Sequence, residues 1–112
     1  MTINGVSQST LVPRLLEIEK EDNNLLFHIH DKPPMTREKI LVPAAEVVAL
    51  LTNTEPGLKT IEGTSPARER RKLLDIEIRK NEVLLWVRTV EGGGWDIAIG
   101  FDDFQDALEA TM

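Results

Sequence analysis

Leu15-Leu16-Glu17-Ile18-Glu19, five residues, then Leu25-Leu26-Phe27 reads against Leu73-Leu74-Asp75-Ile76-Glu77, then Val83-Leu84-Leu85, at a constant offset of 58 residues. Over 15–31 and 73–89, six of 17 positions are identical: Leu15, Leu16, Ile18, Glu19, Asn23 and Leu26. Self-similarity at a fixed offset points to a duplicated scaffold. Within each copy the apolar residues alternate. Leu16 and Ile18 share one face of an extended segment, and Glu17 and Glu19 the other, which is the period of a half-buried strand. Asp22-Asn23-Asn24 is a turn signal, and Leu25, Phe27 and Ile29 line one face of the return strand, with Leu26, His28 and His30 on the other.

Working outward, Lys32-Pro33-Pro34 ends this hairpin, because proline supplies no ladder donor. Ile40-Leu41-Val42 forms a short third strand. Pro43 then suits the first turn of a helix over 44–51, with Val47, Leu50 and Leu51 inward. A Pro-Gly turn follows. Leu58 to Ile61 is an extra short strand, and 62–67 reads as a loop. The second copy repeats the order: Leu74, Ile76 and Ile78 buried on one strand, and Val83, Leu85 and Val87 on its return. Gly92-Gly93-Gly94 is the connection to a third strand, on which Trp95, Ile97, Ile99 and Phe101 alternate. Asp102 is placed to cap the last helix, with Gln105 as a capping-box partner and Phe104, Ala107, Leu108 and Thr111 as its apolar stripe. The fold expected is α+β: two tandem strand-meander-plus-helix units, 11–57 and 58–112, each an antiparallel sheet with one helix, in one domain with a pseudo-two-fold axis.

At 112 residues the chain is sized for one domain with a real core, and its 41% hydrophobic content is ordinary for a globular protein. No apolar run approaches the roughly 20 residues of a membrane span, and the first ten residues lack the pattern of a signal peptide. A cytoplasmic location is the expectation, with no membrane partner. With no cysteine, disulfides, thiolate catalysis and cysteine zinc sites are excluded. The net charge of −6 argues against a general nucleic-acid coat. It is unevenly spread. Residues 68–88 hold seven bases and four acids, a local +3, and residues 89–112 hold six acids and no base. Such polarity steers partners or supports head-to-tail contacts.

Strands followed by a helix entered through a short apolar strand, at Leu73 to Thr111 and again at Leu15 to Thr52, resemble the Whirly and PUR-repeat group of single-stranded nucleic-acid-binding folds. The transcriptional coactivator family with one strand-rich unit and a terminal helix has a similar layout. The resemblance is one of topology and pattern, covers most of the chain, and implies single-stranded nucleic acid as a partner. Those families present basic, aromatic-rich platforms, whereas aromatics here are 4% of residues and tyrosine is absent.

The residues themselves offer a short set of candidates. Trp86, flanked by Arg79 and Arg88, suits stacking on a base and holding a phosphate; the alternative is a tryptophan covered by the other unit, a loop or a second copy. Arg68, Arg70, Arg71 and Lys72 form a basic run that either grips phosphates or keeps a strand edge solvated. His28 and His30 are alternate residues on one strand face, able to reach one metal ion with Glu17 or Glu19. Two histidines without a defined third ligand do not assign a site, and exposed strand residues are the simpler reading. Asp96, Asp102, Asp103 and Asp106 are read as structural, the helix acids complementing the dipole. Gly92-Gly93-Gly94 lacks the Lys-Ser or Lys-Thr of a phosphate loop. No nucleophile elbow is present and no cofactor is implied. The expected function is a non-enzymatic binding or assembly module, a homodimer or larger, ahead of a single-stranded nucleic-acid binder using Arg68, Arg70, Arg71, Lys72, Arg79, Trp86 and Arg88.

Overall fold

In a computed structural model of the chain, residues 2–31, 37–52, 56–66 and 70–112 are described. The strands are β1 (Thr2–Val6), β2 (Pro13–Glu21), β3 (Asn24–Asp31), β4 (Arg37–Pro43), β5 (Gly57–Thr64), β6 (Arg71–Ile78), β7 (Glu82–Thr89) and β8 (Gly94–Gly100). The helices are α1 (Ala44–Thr52), after β4, and α2 (Phe101–Thr111), after β8. Each strand pairs antiparallel with the next, and β8 returns to β1, so the eight close into one barrel.

Alternation decides which side chains fill it. Leu16 and Ile18 on β2, Leu25, Phe27 and Ile29 on β3, Leu74 and Ile76 on β6, and Val83, Leu85 and Val87 on β7 are all buried in one core. Each fully buried aliphatic or phenyl side chain contributes about 1.5–3 kcal/mol relative to exposure. The outward positions of the same strands carry Glu17, Glu19, His28, Asp75, Glu77 and Arg88. Apolar inside and charged outside is the reverse of a lipid-facing barrel, and among the described residues no helix is long and apolar enough to cross a membrane.

The two four-stranded runs join at narrow seams, with Val6 opposite Ala98 on one side and Leu41 opposite Thr64 on the other. A glycine lies at each. A Cβ on Gly5 would stand 2.6 Å from the Ala98 carbonyl oxygen, and one on Gly63 would stand 2.4 Å from that of Leu41. The crossing strands approach this closely only because neither residue has a side chain. The helices close over the core. Phe104, Ala107 and Leu108 of α2 are buried, and the Phe104 ring lies 6.4 Å from that of Phe27. Val47 of α1 is buried, with Leu50 packed beside it. The first N–H of each helix donates to a hairpin carbonyl, Ala44 N to Asn23 O (2.9 Å) and Phe101 N to Asn81 O (3.1 Å), satisfying groups a helix start leaves open.

The expected α+β fold of two packed units is therefore corrected. The similar stretches at 15–31 and 73–89 fall on β2–β3 and β6–β7, but these hairpins share one core. Sheet edges left open by each half are consumed by the other half rather than covered by helices. Local readings change as well. Residues 2–6 form a strand, and Glu62 to Thr64, read as loop, belong to β5. Phe101 opens α2 instead of ending β8, and the helix N-cap is Gly100, with no side-chain capping bond. Asp102 and Asp103 lie in the first turn, where their charge suits the dipole. Pro43 ends β4 and does not start the helix. Lys32-Pro33-Pro34, Ala67 and the Leu51 side chain lie outside what is described.

Filling either seam is expected to loosen the barrel. Gly5→Val and Gly63→Val should each lower stability by about 1–3 kcal/mol in urea unfolding. Gly93→Ala, where an added Cβ meets nothing within 4 Å, should leave the midpoint nearly unchanged.

Candidate functional site

The basic candidates divide into two places. Arg70, Arg71 and Lys72, with Lys39, line an open cleft of about 700 Å³ that also holds Glu38 and Glu91. Trp86 and Arg88 stand on the outer face of β7, and Arg79 lies at the β6–β7 turn. Arg68 lies outside the described residues. Most of these cations already face acids. Lys72 Nζ bonds Glu38 Oε2 at 2.8 Å and the Lys39 carbonyl at 3.2 Å. Arg71 pairs with Glu62, and Arg79 with Glu77 and Glu82. Arg88 Nε donates to Asp75 Oδ2 at 2.6 Å. The hydrogen bonds to Glu77 and to Asp75 are the main causes that hold the guanidinium pKa of Arg79 and of Arg88, respectively, above its ordinary value.

Trp86 is 41% exposed, among the larger open apolar side chains with Val6 and Leu58. Register places Leu84 opposite Ala98, and Ala98 opposite Val6, so these three run as a row across β7, β8 and β1. Trp86 stands two residues along from Leu84, on the same face. The opposing residues beside it are Asp75 and Asp96. Trp95 is half-buried, and the Arg14 guanidinium lies 4.1 Å from its ring centroid.

Asp96 separates from the α2 acids and fastens the β8–β1 seam. Its carboxylate accepts from Ser7 Oγ (2.9 Å), Gln8 N (2.7 Å) and Ser9 Oγ (2.9 Å). Burial pushes this carboxyl up, but the donors from Ser7, Gln8 and Ser9 outweigh it and hold the pKa below its ordinary value. Arg14, 8% exposed, donates from Nη1 to Asp96 O (2.7 Å) and Oδ1 (3.1 Å), and its Nε lies 3.4 Å from Asp31 Oδ1. The sequence reading passed over Arg14, Ser7 and Ser9. Their signal was a charged residue on the inward register of Leu16 and Ile18, next to a polar turn.

On the outer face of β2 and β3 the expected histidine pair acquires a third member. Glu17 is directly opposite His28 in register, and His30 is two residues along. Glu17 Oε2 lies 3.1 Å from His28 Nδ1 and 3.8 Å from His30 Nε2. One donor atom from each of the three lies within 4.8 Å of the others. His30 Nδ1 faces the Asp31 carbonyl at 3.1 Å. Both Nε2 atoms are buried without a hydrogen-bond partner among the described residues. Burial is the main cause that lowers the His28 pKa; the Glu17 hydrogen bond opposes it, and the charges of His30 and Lys39 reinforce it. The reading of two exposed histidines is corrected: their side chains are only 13% and 8% exposed. Glu17, Glu19, Leu26, His28 and Lys39 line a small cleft there.

In comparisons with protein-family models, curated proteins and solved structures, the chain finds no match.

Removing the seam charges has defined consequences. Arg14→Ala removes charged hydrogen bonds to the partly exposed Asp96 and Asp31, of which Asp96 keeps its donors from Ser7, Gln8 and Ser9, and should cost about 1.5–3 kcal/mol in chemical denaturation. Because the Asp96 pKa is lowered in the folded state, its stabilisation is full above about pH 5 and declines as pH falls through roughly 4 and below. Asp96→Asn should flatten that part of the stability–pH curve.

Proposed function

We propose that the chain is a non-enzymatic binding and assembly module that acts through the outside of its barrel and associates with a second copy of itself. The observation that carries this reading is an outward apolar row of half-buried Leu84, buried Ala98 and exposed Val6, with exposed Trp86 beside it, bordered by charged strand residues. The ion pairs Asp75–Arg88 and Glu77–Arg79 border the row. An apolar centre with a paired polar rim is the anatomy of a protein interface. The filled interior supports the same reading, because inward side chains are committed to packing. Light scattering on the eluted protein should give a mass above the 12.6 kDa of one chain, and Leu84→Glu or Trp86→Arg should weaken association at least about tenfold. A monomer at every concentration in the unaltered chain would overturn it.

The second reading is a single-stranded nucleic-acid binder. It is supported by the exposed Trp86 and by strands leading into a helix, twice over at Leu15 to Thr52 and Leu73 to Thr111, the pattern on which the resemblance to Whirly and PUR-repeat folds rests. Against it, Arg71, Lys72, Arg79 and Arg88 are engaged by acids, so phosphate contact would have to displace those partners. It predicts salt-sensitive oligonucleotide binding that weakens in Trp86→Ala; no binding at low salt removes it.

A further inference from the structure

The barrel carries a cluster on the β2–β3 outer face that neither assembly nor nucleic-acid binding uses. We propose that Glu17, His28 and His30 form a binding site for a divalent first-row transition ion of the zinc class, with a coordination position left open to solvent or to a partner's ligand.

The tautomer of His30 is the starting point. A backbone carbonyl only accepts, so the contact of His30 Nδ1 with the Asp31 carbonyl (3.1 Å) places the proton on Nδ1. Its Nε2 is then a bare lone pair. That atom is buried, has no partner among the described residues, and belongs to a side chain 8% exposed. A carbonyl on one imidazole nitrogen that leaves the other free is the outer-shell arrangement of a metal-binding histidine. The electron pair does not face a donor that would satisfy it. It faces Glu17 Oε2 at 3.8 Å, and two acceptors at that distance have a net attraction only for something positive between them.

The second histidine completes the set. His28 Nδ1 lies 3.1 Å from the same Glu17 oxygen, and the two rings are 4.7 Å apart, tilted 39°. Two ligands at about 2.1 Å from a tetrahedral ion are about 3.4 Å from each other. The two distances from Glu17 bracket that value, and the three donor atoms span at most 4.8 Å, so binding an ion requires the two imidazoles to turn toward each other. His28 gives Nδ1 to the ion, and its proton then sits on Nε2, which has no protein acceptor among the described residues. The register fixes these positions, since Glu17 and His28 face each other directly across β2 and β3.

Ligand type selects the ion. Two imidazoles and one carboxylate suit zinc, cobalt, nickel or copper, whereas calcium and magnesium favour all-oxygen sets. The nearby charges oppose one another. Lys39, opposite His28 on β4, repels a cation, and Glu19, lining the same small cleft, attracts one.

The test is zinc titration by calorimetry on the full, untagged chain, with cobalt(II) absorption as an independent readout of nitrogen ligation. One equivalent of zinc should bind, and cobalt should develop a visible ligand-field spectrum. Glu17→Gln and His28→Asn should each weaken binding at least about tenfold, with circular dichroism reporting an unchanged fold. Glu17 is 39% exposed, so its variant keeps the test valid if replacing a histidine disturbs packing. No zinc binding to the unaltered chain, or binding that both variants leave unchanged, overturns the proposal. Self-association measured in the same variants without metal should stay as in the unaltered chain, which separates this site from the apolar row.

Discussion

Closure of the sheet at two points is the constraint on which the rest depends. Eight strands with one apolar face each have a single way to hide that face and all their edges together, which is to curl until the first meets the last. The close approaches occur where Gly5 crosses the Ala98 carbonyl and where Gly63 crosses that of Leu41. With those seams shut, Phe27, Leu16, Leu74 and Leu85 share one core, and α2 completes it with Phe104. The β8–β1 seam has a second fastening, in which Arg14 and the Ser7 to Ser9 turn converge on Asp96.

Closure also sorts the chemistry by parity. Apart from Arg14, the buried inward positions of β2, β3, β6 and β7 are apolar and spent on packing, and Glu17, His28, His30 and Asp75 sit on the other face. The register then decides which outside groups meet. It brings Glu17, His28 and His30 together on one half. On the other it lines Asp75 up with Trp86 and brings Asp75 to Arg88, so the cations that would attract a polyanion are partly neutralised by their own strand neighbours. A partly exposed apolar row remains near Trp86, and the Nε2 lone pair of His30 remains beside Glu17.

Much of this was legible in strand alternation. Leu16, Ile18, Leu25, Phe27, Ile29, Leu74, Ile76, Val83, Leu85 and Val87 are buried as their period requires. The closure was not legible, because a repeated hairpin-and-helix pattern is compatible both with two units and with two halves of one barrel. What distinguishes them is long-range: single-residue seams that leave no local pattern. Residues 2–6 were missed since Asn4 and Gly5 disfavour strands and interrupt the short segment, and pairing with β2 supplies what propensity does not. Of the candidate sites, the shared face of His28 and His30 followed from a period of two. The orientation of their ring nitrogens and the burial of both depend on neighbours, so the sequence could place the pair without showing that its Nε2 atoms lack partners.

The most direct test of a single closed barrel is a set of nuclear Overhauser contacts across the two seams in an isotope-labelled sample. Backbone protons of Val6 and Ala98, and of Leu41 and Thr64, should show cross-peaks alongside those of the hairpin pairs. Cross-peaks confined to β1–β4 and to β5–β8, with none bridging the two runs, would contradict the account and return the chain to two separate sheets.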